Sequence, residues 1–172
     1  MDKNTRKLLK LEEEFEFPEN WLTQDVQHHI KYHIIHASWE REIEKCHHCG
    51  HNQLIRYGSY LRKIKLLPIY ENPTKLHLKM RRYQCTCCHK TMTCETPIVK
   101  KYCHIATAVY QKALLLLSKS VTKKHIAQEL SVSDASVHRV MQQAVISCKQ
   151  TYSYLPKVLC IDEFKALKTS YS

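Results

Sequence analysis

The sequence predicts an α+β fold in which a small β module precedes a run of short helices. Two Cys-x-x-Cys pairs flank residues that alternate between apolar and polar, and this period of two is typical of half-buried strands. From residue 105 onward, apolar residues recur at helical spacing instead. These observations divide the chain into an N-terminal segment with a helix and a strand (1–45), a cysteine-flanked β module (46–100), a helical module (101–152) and a C-terminal segment (153–172).

Composition places the chain among basic, folded proteins of the cytoplasm. Residues 1–45 carry 7 Lys and Arg against 10 Asp and Glu, whereas residues 46–161 carry 18 against 4. Such a positive block attracts phosphate backbones and releases their counterions, so nucleic acid is the predicted partner. Two glycines exclude a low-complexity chain, and no apolar run reaches membrane length. Nine cysteines without a signal peptide indicate a reducing compartment.

The N-terminal segment is predicted to hold one helix and one strand. Residues 3–14 place Leu8, Leu9 and Leu11 on the inward side of a short helix. Residues 26–36 alternate and are rich in Ile, Val and Tyr, which predicts one continuous strand. The histidines of this strand could ligate a metal or lie on a sheet surface.

The two cysteine pairs predict a zinc ribbon. Cys46 and Cys49 form the first pair, Cys85 and Cys88 form the second, and 35 residues separate the pairs. Two residues between thiolates allow both sulfurs to reach one tetrahedral ion at about 2.3 Å. Because two pairs complete a closed shell with no position for a reactive water, the zinc is predicted to stabilise the fold.

Other side chains near the pairs leave the exact ligand set open. Cys87 could replace Cys85 or Cys88. A neighbouring histidine could also replace a thiolate, the candidates being His47, His48, His51 and His89. The remaining cysteines lie outside any pair and are interpreted as small, partly buried apolar residues: Cys94, Cys103, Cys148 and Cys160.

The residues between the pairs predict a hairpin. Strands at 61–69 and 74–83 are joined by Glu-Asn-Pro at 71–73, a sequence that favours a turn. The apolar residues of the second strand alternate on one face: Leu76, Leu78 and Met80.

Three helices are predicted in the helical module, at 105–118, 122–130 and 134–149. The last two are short, amphipathic and joined by Ser-Val-Ser at 131–133, which is the pattern of a helix-turn-helix. Ser133 is suited to cap the third helix. The alternative is an ordinary helical hairpin. The predicted core of the pair is Ile126, Ala127, Leu130, Val132, Val137 and either Val140 or Met141.

In a helix-turn-helix, the start of the second helix enters the major groove of DNA. Arg139 could then make a bidentate contact to guanine, which makes it the first candidate for sequence specificity. Basic residues on the preceding helix are better placed for phosphate, where they add affinity without reading sequence. The predicted DNA-binding side chains are those of Lys123, Lys124, Ser133, Ser136, His138 and Arg139.

Five motifs follow one another along residues 46–167. They are Cys-x-x-Cys-Gly with Tyr57-Gly58 after it, Arg-Arg-Tyr-x-Cys-x-x-Cys (81–88), Ile-Ala-x-x-Leu-x-Val-Ser (126–133), Leu-Pro (155–156) and Ile-Asp-Glu-Phe (161–164). In this order and spacing, the sequence resembles the ISL-three family of insertion-sequence transposases.

The resemblance implies a ribonuclease-H-like catalytic domain that begins near residue 153, with its first strand at 158–161. It makes Asp162 the first of three carboxylates, which in a full-length family member hold two Mg or Mn ions. One carboxylate cannot assemble a two-metal site, and the sequence ends ten residues after Asp162. We therefore expect a truncated transposase that is not an enzyme by itself.

The expected role is recognition of transposon terminal inverted repeats in double-stranded DNA. A second transposase chain, either another copy or the full-length protein, is a possible partner, and no membrane is expected. The alternative is a self-standing, zinc-containing DNA-binding regulator or inhibitor of transposition.

Overall fold

The computed structural model of the protein describes residues 6, 15–119 and 121–147. Apart from Arg6, the helix predicted at 3–14 lies outside them, as do the strand at 158–161, Cys148, Cys160 and Asp162. Residues 15–119 and 121–147 form six strands and three helices: β1 (Phe15–Glu16), β2 (Leu22–Gln27), β3 (Ile30–Trp39), β4 (Leu54–Lys65), β5 (Thr74–Cys85), β6 (Thr91–Thr93), α1 (Thr107–Leu117), α2 (Lys123–Glu129) and α3 (Asp134–Ser147).

The strands form one mixed sheet. β3 and β5 pair in parallel at its centre, β4 is antiparallel to β5, and β1 and β2 are antiparallel to β3. β6 pairs with the last residues of β5. Because β3 comes from the N-terminal segment and β5 from the cysteine-flanked module, a single sheet spans the predicted division at residue 45.

β5 contributes to two cores, one on each face of the sheet. In its first half the predicted alternation is confirmed, and Leu76, Leu78 and Met80 are buried in the larger core together with residues of all three helices. In its second half the buried residues are Tyr83 and Cys85, which belong to a smaller core. Side chains three residues apart on a strand point to opposite faces, so the two cores lie on opposite sides of β5.

The stretch predicted as one strand at 26–36 is a hairpin, so that prediction was wrong. β2 ends at Gln27, β3 begins at Ile30, and these two residues are paired. His28 and His29 form the turn, with φ of 50° and 63°. Two-residue turns with positive φ at both positions normally contain Asn or Gly, so a His-His pair carries no turn signal.

The predicted β4–β5 hairpin is confirmed, although both strands have other limits. Each has twelve residues, and β4 contains a bulge between Arg56 and Ser59, where Gly58 has a φ of 74°. At Lys65, the last residue of β4, the backbone also bonds to the segment that precedes α1. The Lys65 N–H donates to the His104 carbonyl at 2.8 Å, and the Lys65 carbonyl accepts from the Ala106 N–H at 2.9 Å.

The three helices confirm the predicted positions within the described residues. The Ser133 hydroxyl accepts from the Ser136 N–H at 3.3 Å and caps α3 as predicted. Of the two residues predicted as alternatives for the last core position, Val140 is buried and Met141 is half-buried. Val132, also predicted to lie in the core, is half-buried. The other predicted core residues are buried: Ile126, Ala127, Leu130 and Val137. None of the helices in residues 15–119 and 121–147 is both long and apolar enough to cross a membrane.

The position of Leu78 in the centre of the sheet predicts a large loss of stability when it is truncated. Leu78→Ala leaves a cavity between β3, β5 and the helices, so the free energy of unfolding is expected to fall by about 2–5 kcal/mol in denaturant titrations of the zinc-loaded protein. Leu61→Ala is the matched control, because Leu61 on β4 is 53 % exposed and its truncation is expected to change stability by about 0.5 kcal/mol. Similar losses from both variants would contradict this assignment of the core.

Candidate zinc centre and nucleic-acid interface

Four cysteine sulfurs converge at one end of the sheet. The Sγ atoms of Cys46, Cys49, Cys85 and Cys88 all lie within 4.8 Å of one another. Cys46 Sγ is 3.6 Å from Cys88 Sγ, and Cys49 Sγ is 3.5 Å from Cys85 Sγ. Sulfurs bound at about 2.3 Å to one tetrahedral ion are about 3.8 Å apart, so this cluster fits zinc. The zinc is structural, because four thiolates leave no open coordination position.

The two cysteine pairs lie in turns of the same backbone form. In the first turn, the Gly50 N–H donates to the Cys46 carbonyl at 2.9 Å. In the second, the His89 N–H donates to the Cys85 carbonyl at 3.0 Å. Gly50 and His89 both have positive φ, 73° and 55°, so His89 occupies the position that glycine fills in the first turn. This equivalence was not predicted, since the second pair has no glycine after it.

Two of the thiols ionise readily within the cluster. Burial disfavours the thiolate of Cys46, but the backbone N–H groups of Cys49 and His48 point at the sulfur, and the pKa of Cys46 is lowered to about 6. The pKa of Cys85 is also lowered, chiefly by the backbone N–H of Cys88. These two sulfurs come from different pairs, so each turn provides one stabilised thiolate.

The other two thiols hold their protons more tightly. The His51 N–H favours the thiolate of Cys49, but burial and the neighbouring sulfurs outweigh it and raise the pKa of Cys49 to about 12. For Cys88, the Lys90 N–H is likewise outweighed by burial and nearby sulfurs, and the pKa is raised. Like charges so close cannot all form without a cation. A bound zinc ion supplies that positive charge and displaces the remaining protons.

The alternative ligands stand apart from the cluster. Cys87 is exposed and is not among the four clustered cysteines. Within the described part of the chain, no histidine belongs to a group that could hold a metal. Cys94 is buried in the larger core, where burial raises the pKa of its thiol, and Cys103 packs against the same core. Both fit the interpretation as small apolar residues.

The comparisons with known proteins agree with this geometry. Residues 44–88 match a family model described as the zinc-finger of transposase IS204/IS1001/IS1096/IS1165. Residues 44–88 are thus similar to the zinc ribbon of these transposases. The matched segment runs from just before the first cysteine pair to the last cysteine of the second, so it contains all four clustered cysteines. No curated protein and no solved structure matches the chain.

The residues predicted to contact DNA lie along α2 and α3. Lys123 and Lys124 are exposed at the start of α2, and His138 and Arg139 are exposed on α3. Arg139 lies near Tyr110 of α1, where burial raises the pKa of the tyrosine and the positive charge of Arg139 acts in the opposite direction.

The two predicted serines are engaged with each other. The Ser133 and Ser136 hydroxyls are 2.9 Å apart, and Ser136 is half-buried. Because each hydroxyl already has a protein partner, both serines are weaker candidates for base contacts than the exposed Arg139. Their DNA-binding roles stay predictions.

The sheet also carries cations that the sequence analysis did not single out. They lie on the face of β4 and β5 that is turned away from the larger core, and we refer to them as the basic face: Lys63, Lys65, Lys75, Lys79 and Arg81. The signal was present as lysine or arginine at several alternate positions of two predicted strands, 63 and 65 in the first and 75, 79 and 81 in the second. It was missed because the pairing of the strands was needed to bring the two rows together.

The cluster predicts that Cys85 is required for zinc and that Cys87 is not. Cys85→Ser is expected to lose bound zinc and to unfold at lower temperature, because structural zinc contributes folding free energy directly. Cys87→Ser is expected to retain one equivalent of zinc per chain. The measurement is zinc content by a chromogenic chelator, with thermal unfolding in parallel. Full zinc retention by Cys85→Ser, or zinc loss from Cys87→Ser, would contradict the ligand set.

The pKa pattern predicts that zinc binding weakens as pH falls. At neutral pH, Cys46 is already a thiolate, whereas Cys49 and Cys88 must lose protons to bind. Release of about two protons lowers the affinity by about 100-fold for each unit of pH decrease near neutrality. Chelator competition at several pH values measures this slope, and Cys87→Ser should give the same slope. An affinity independent of pH would show that the cluster is fully ionised before zinc arrives.

Proposed function

We propose that this chain is the DNA-binding portion of an insertion-sequence transposase and recognises the terminal inverted repeats of its element. The observation that carries the proposal is the match of residues 44–88 to a transposase zinc finger, with four sulfurs spaced for zinc. Zinc ribbons of transposases generally bind DNA, and the basic charge of residues 46–161 favours the same partner.

We assign sequence reading to α2 and α3 as a helix-turn-helix. The two helices share a buried core and are joined by a tight turn in which Ser131 has a φ of 52°. α3 is the recognition helix of this proposal, because its start is capped and its exposed side carries His138 and Arg139. Lys123 and Lys124 contact phosphates and orient the duplex.

The helix pair is held firmly against the sheet that carries the zinc ribbon. The ammonium group of Lys65 donates to the Ser131 carbonyl at 3.2 Å, beside the backbone bonds that join Lys65 to the segment before α1. Residues of α1, α2 and α3 also share the larger core with β3 and β5. This attachment supports a single binding unit in which zinc stabilises the platform for the reading helix.

We assign binding, not strand cleavage, to the described residues. A closed four-thiolate centre offers no position for the water or hydroxyl that would attack a phosphate. Cleavage in this family belongs to the carboxylates of the ribonuclease-H-like domain that the resemblance implies. Asp162, the first of those carboxylates in this proposal, lies outside the described residues.

The proposal predicts a specific role for the guanidinium group of Arg139. In competition anisotropy assays, the wild-type protein should prefer duplexes containing the inverted repeats over scrambled duplexes, and Arg139→Ala should lose about 1–3 kcal/mol of that preference. Arg139→Lys is the matched control: it keeps the charge but not the bidentate fork, so it should keep non-specific affinity and lose preference.

Two outcomes would contradict this proposal. Equal, salt-sensitive binding of the wild-type protein to every duplex would leave a basic zinc protein without sequence specificity. Full preference in Arg139→Lys would place Arg139 at a phosphate.

Removal of zinc by a chelator should abolish the preference, because the platform that holds α3 loses stability.

A further inference from the structure

The basic face joins the two modules to which DNA binding has been assigned. Next to its Arg81 end, β5 continues into the buried Tyr83 and Cys85 of the zinc-ribbon core. At its other end, Lys65 contacts Ser131 in the turn between α2 and α3. From Lys75 to Arg81 the face extends about 20 Å along β5. A ligand that contacts both modules on this side of the sheet must therefore pass over it.

The cations of the basic face are arranged in two facing rows. Lys65 pairs with Lys75, Lys63 with His77, Leu61 with Lys79, and Ser59 with Arg81. Like charges directly opposite each other destabilise a sheet. The ammonium groups of these two lysines have different partners: Lys65 donates to the Ser131 carbonyl at 3.2 Å, whereas Lys75 donates to Gln27 Oε1 at 3.4 Å and lies 3.8 Å from the centre of the Tyr32 ring. An anion against the face would offset the repulsion that remains between the two rows.

The electrostatic surroundings of the face are positive. His77 lies between the rows, and its pKa is lowered first by burial and then by His36, Lys63 and Lys75. Two acids partly offset this charge: Asp25 opposes the lowering of the His77 pKa, and Glu40 accepts from Arg81 at 2.7 Å at one end of the face.

The opposite side of the β4–β5 pair is less suited to a polyanion. The guanidinium group of Arg62 donates to two backbone carbonyls, and that of Arg82 lies over the ring of Tyr60 at 5.0 Å. Lys101 is 3.5 Å from the carboxylate of Glu95. Their donors are thus directed at protein groups. On the basic face Lys65, Lys75 and Arg81 also have protein partners, and the exposed Lys63 and Lys79 are the cations that we assign to a ligand.

We propose that the basic face is a second DNA-contacting surface, which binds the phosphate backbone of the duplex beyond the segment read by α3. The inference rests on the proposed function, because it assumes that α3 binds duplex DNA. The contacts are to phosphates, since lysines on a flat sheet face provide charge without the groove-penetrating shape needed to read bases. The face therefore adds affinity and orientation, and it leaves sequence preference unchanged.

The test is the salt dependence of binding by the full chain loaded with zinc. Each phosphate contact contributes about 0.9 to the slope of log affinity against log salt concentration. Lys63→Gln/Lys79→Gln is expected to reduce this slope by about 1.8 and to retain the wild-type preference for inverted repeats over scrambled duplexes. The matched control is Lys101→Gln/Lys119→Gln, which removes the same charge from exposed positions outside the basic face and is expected to keep the wild-type slope.

The outcomes separate the two proposals. If the wild-type protein does not bind duplex DNA, the proposed function fails. If it binds but Lys63→Gln/Lys79→Gln keeps the wild-type slope, only the second surface is overturned. Equal slope losses in both double variants would also overturn it, because net charge alone would then explain the effect. Zinc content and thermal unfolding of each variant check that the exposed substitutions leave the fold intact.

Discussion

The structure depends on β5 being buried on opposite faces along its length. Its first half packs into the core shared with the helices, and its second half ends at Cys85 in the smaller core around the sulfurs. One strand thereby connects the metal cluster to the hydrophobic core through a continuous backbone. The parallel pairing with β3 and the antiparallel pairing with β4 hold it from both sides.

The zinc cluster and the helices stabilise the sheet in different ways. Zinc joins the turn before β4 to the end of β5, and so closes the hairpin at the end opposite its connecting loop. The helices cover one sheet face near that loop and are tied to β4 through Lys65. The two attachments lie at opposite ends of the same pair of strands. The β4–β5 pair is thus held at both ends, by the metal ligands at one and by the helices at the other.

The sequence predicted those parts whose signals are local. Cysteine spacing identified the metal cluster, and apolar periodicity located β5 and the three helices. The His28-His29 turn was missed because histidine gives no indication of positive φ, and alternation continues across it. The parallel pairing of β3 with β5 joins residues about 40 positions apart and has no local signature. The basic face could not be predicted for the same reason, since it exists only once β4 and β5 are in register.

The bulge at Gly58 determines which β4 side chains share a face. Before the bulge, the even-numbered Leu54 and Arg56 pair with Cys85 and Tyr83 and share their face of the sheet. After the bulge, the β4 residues on this same face have odd numbers, as Lys63 does. The extra residue shifts the two-residue period by half a cycle. Leu54 can therefore pack on the ribbon while the lysines stay in solvent. Deletion of one residue from this stretch would turn either Leu54 or the lysines to the opposite face of the sheet. The length of the stretch is therefore constrained, although its residue types do not indicate this.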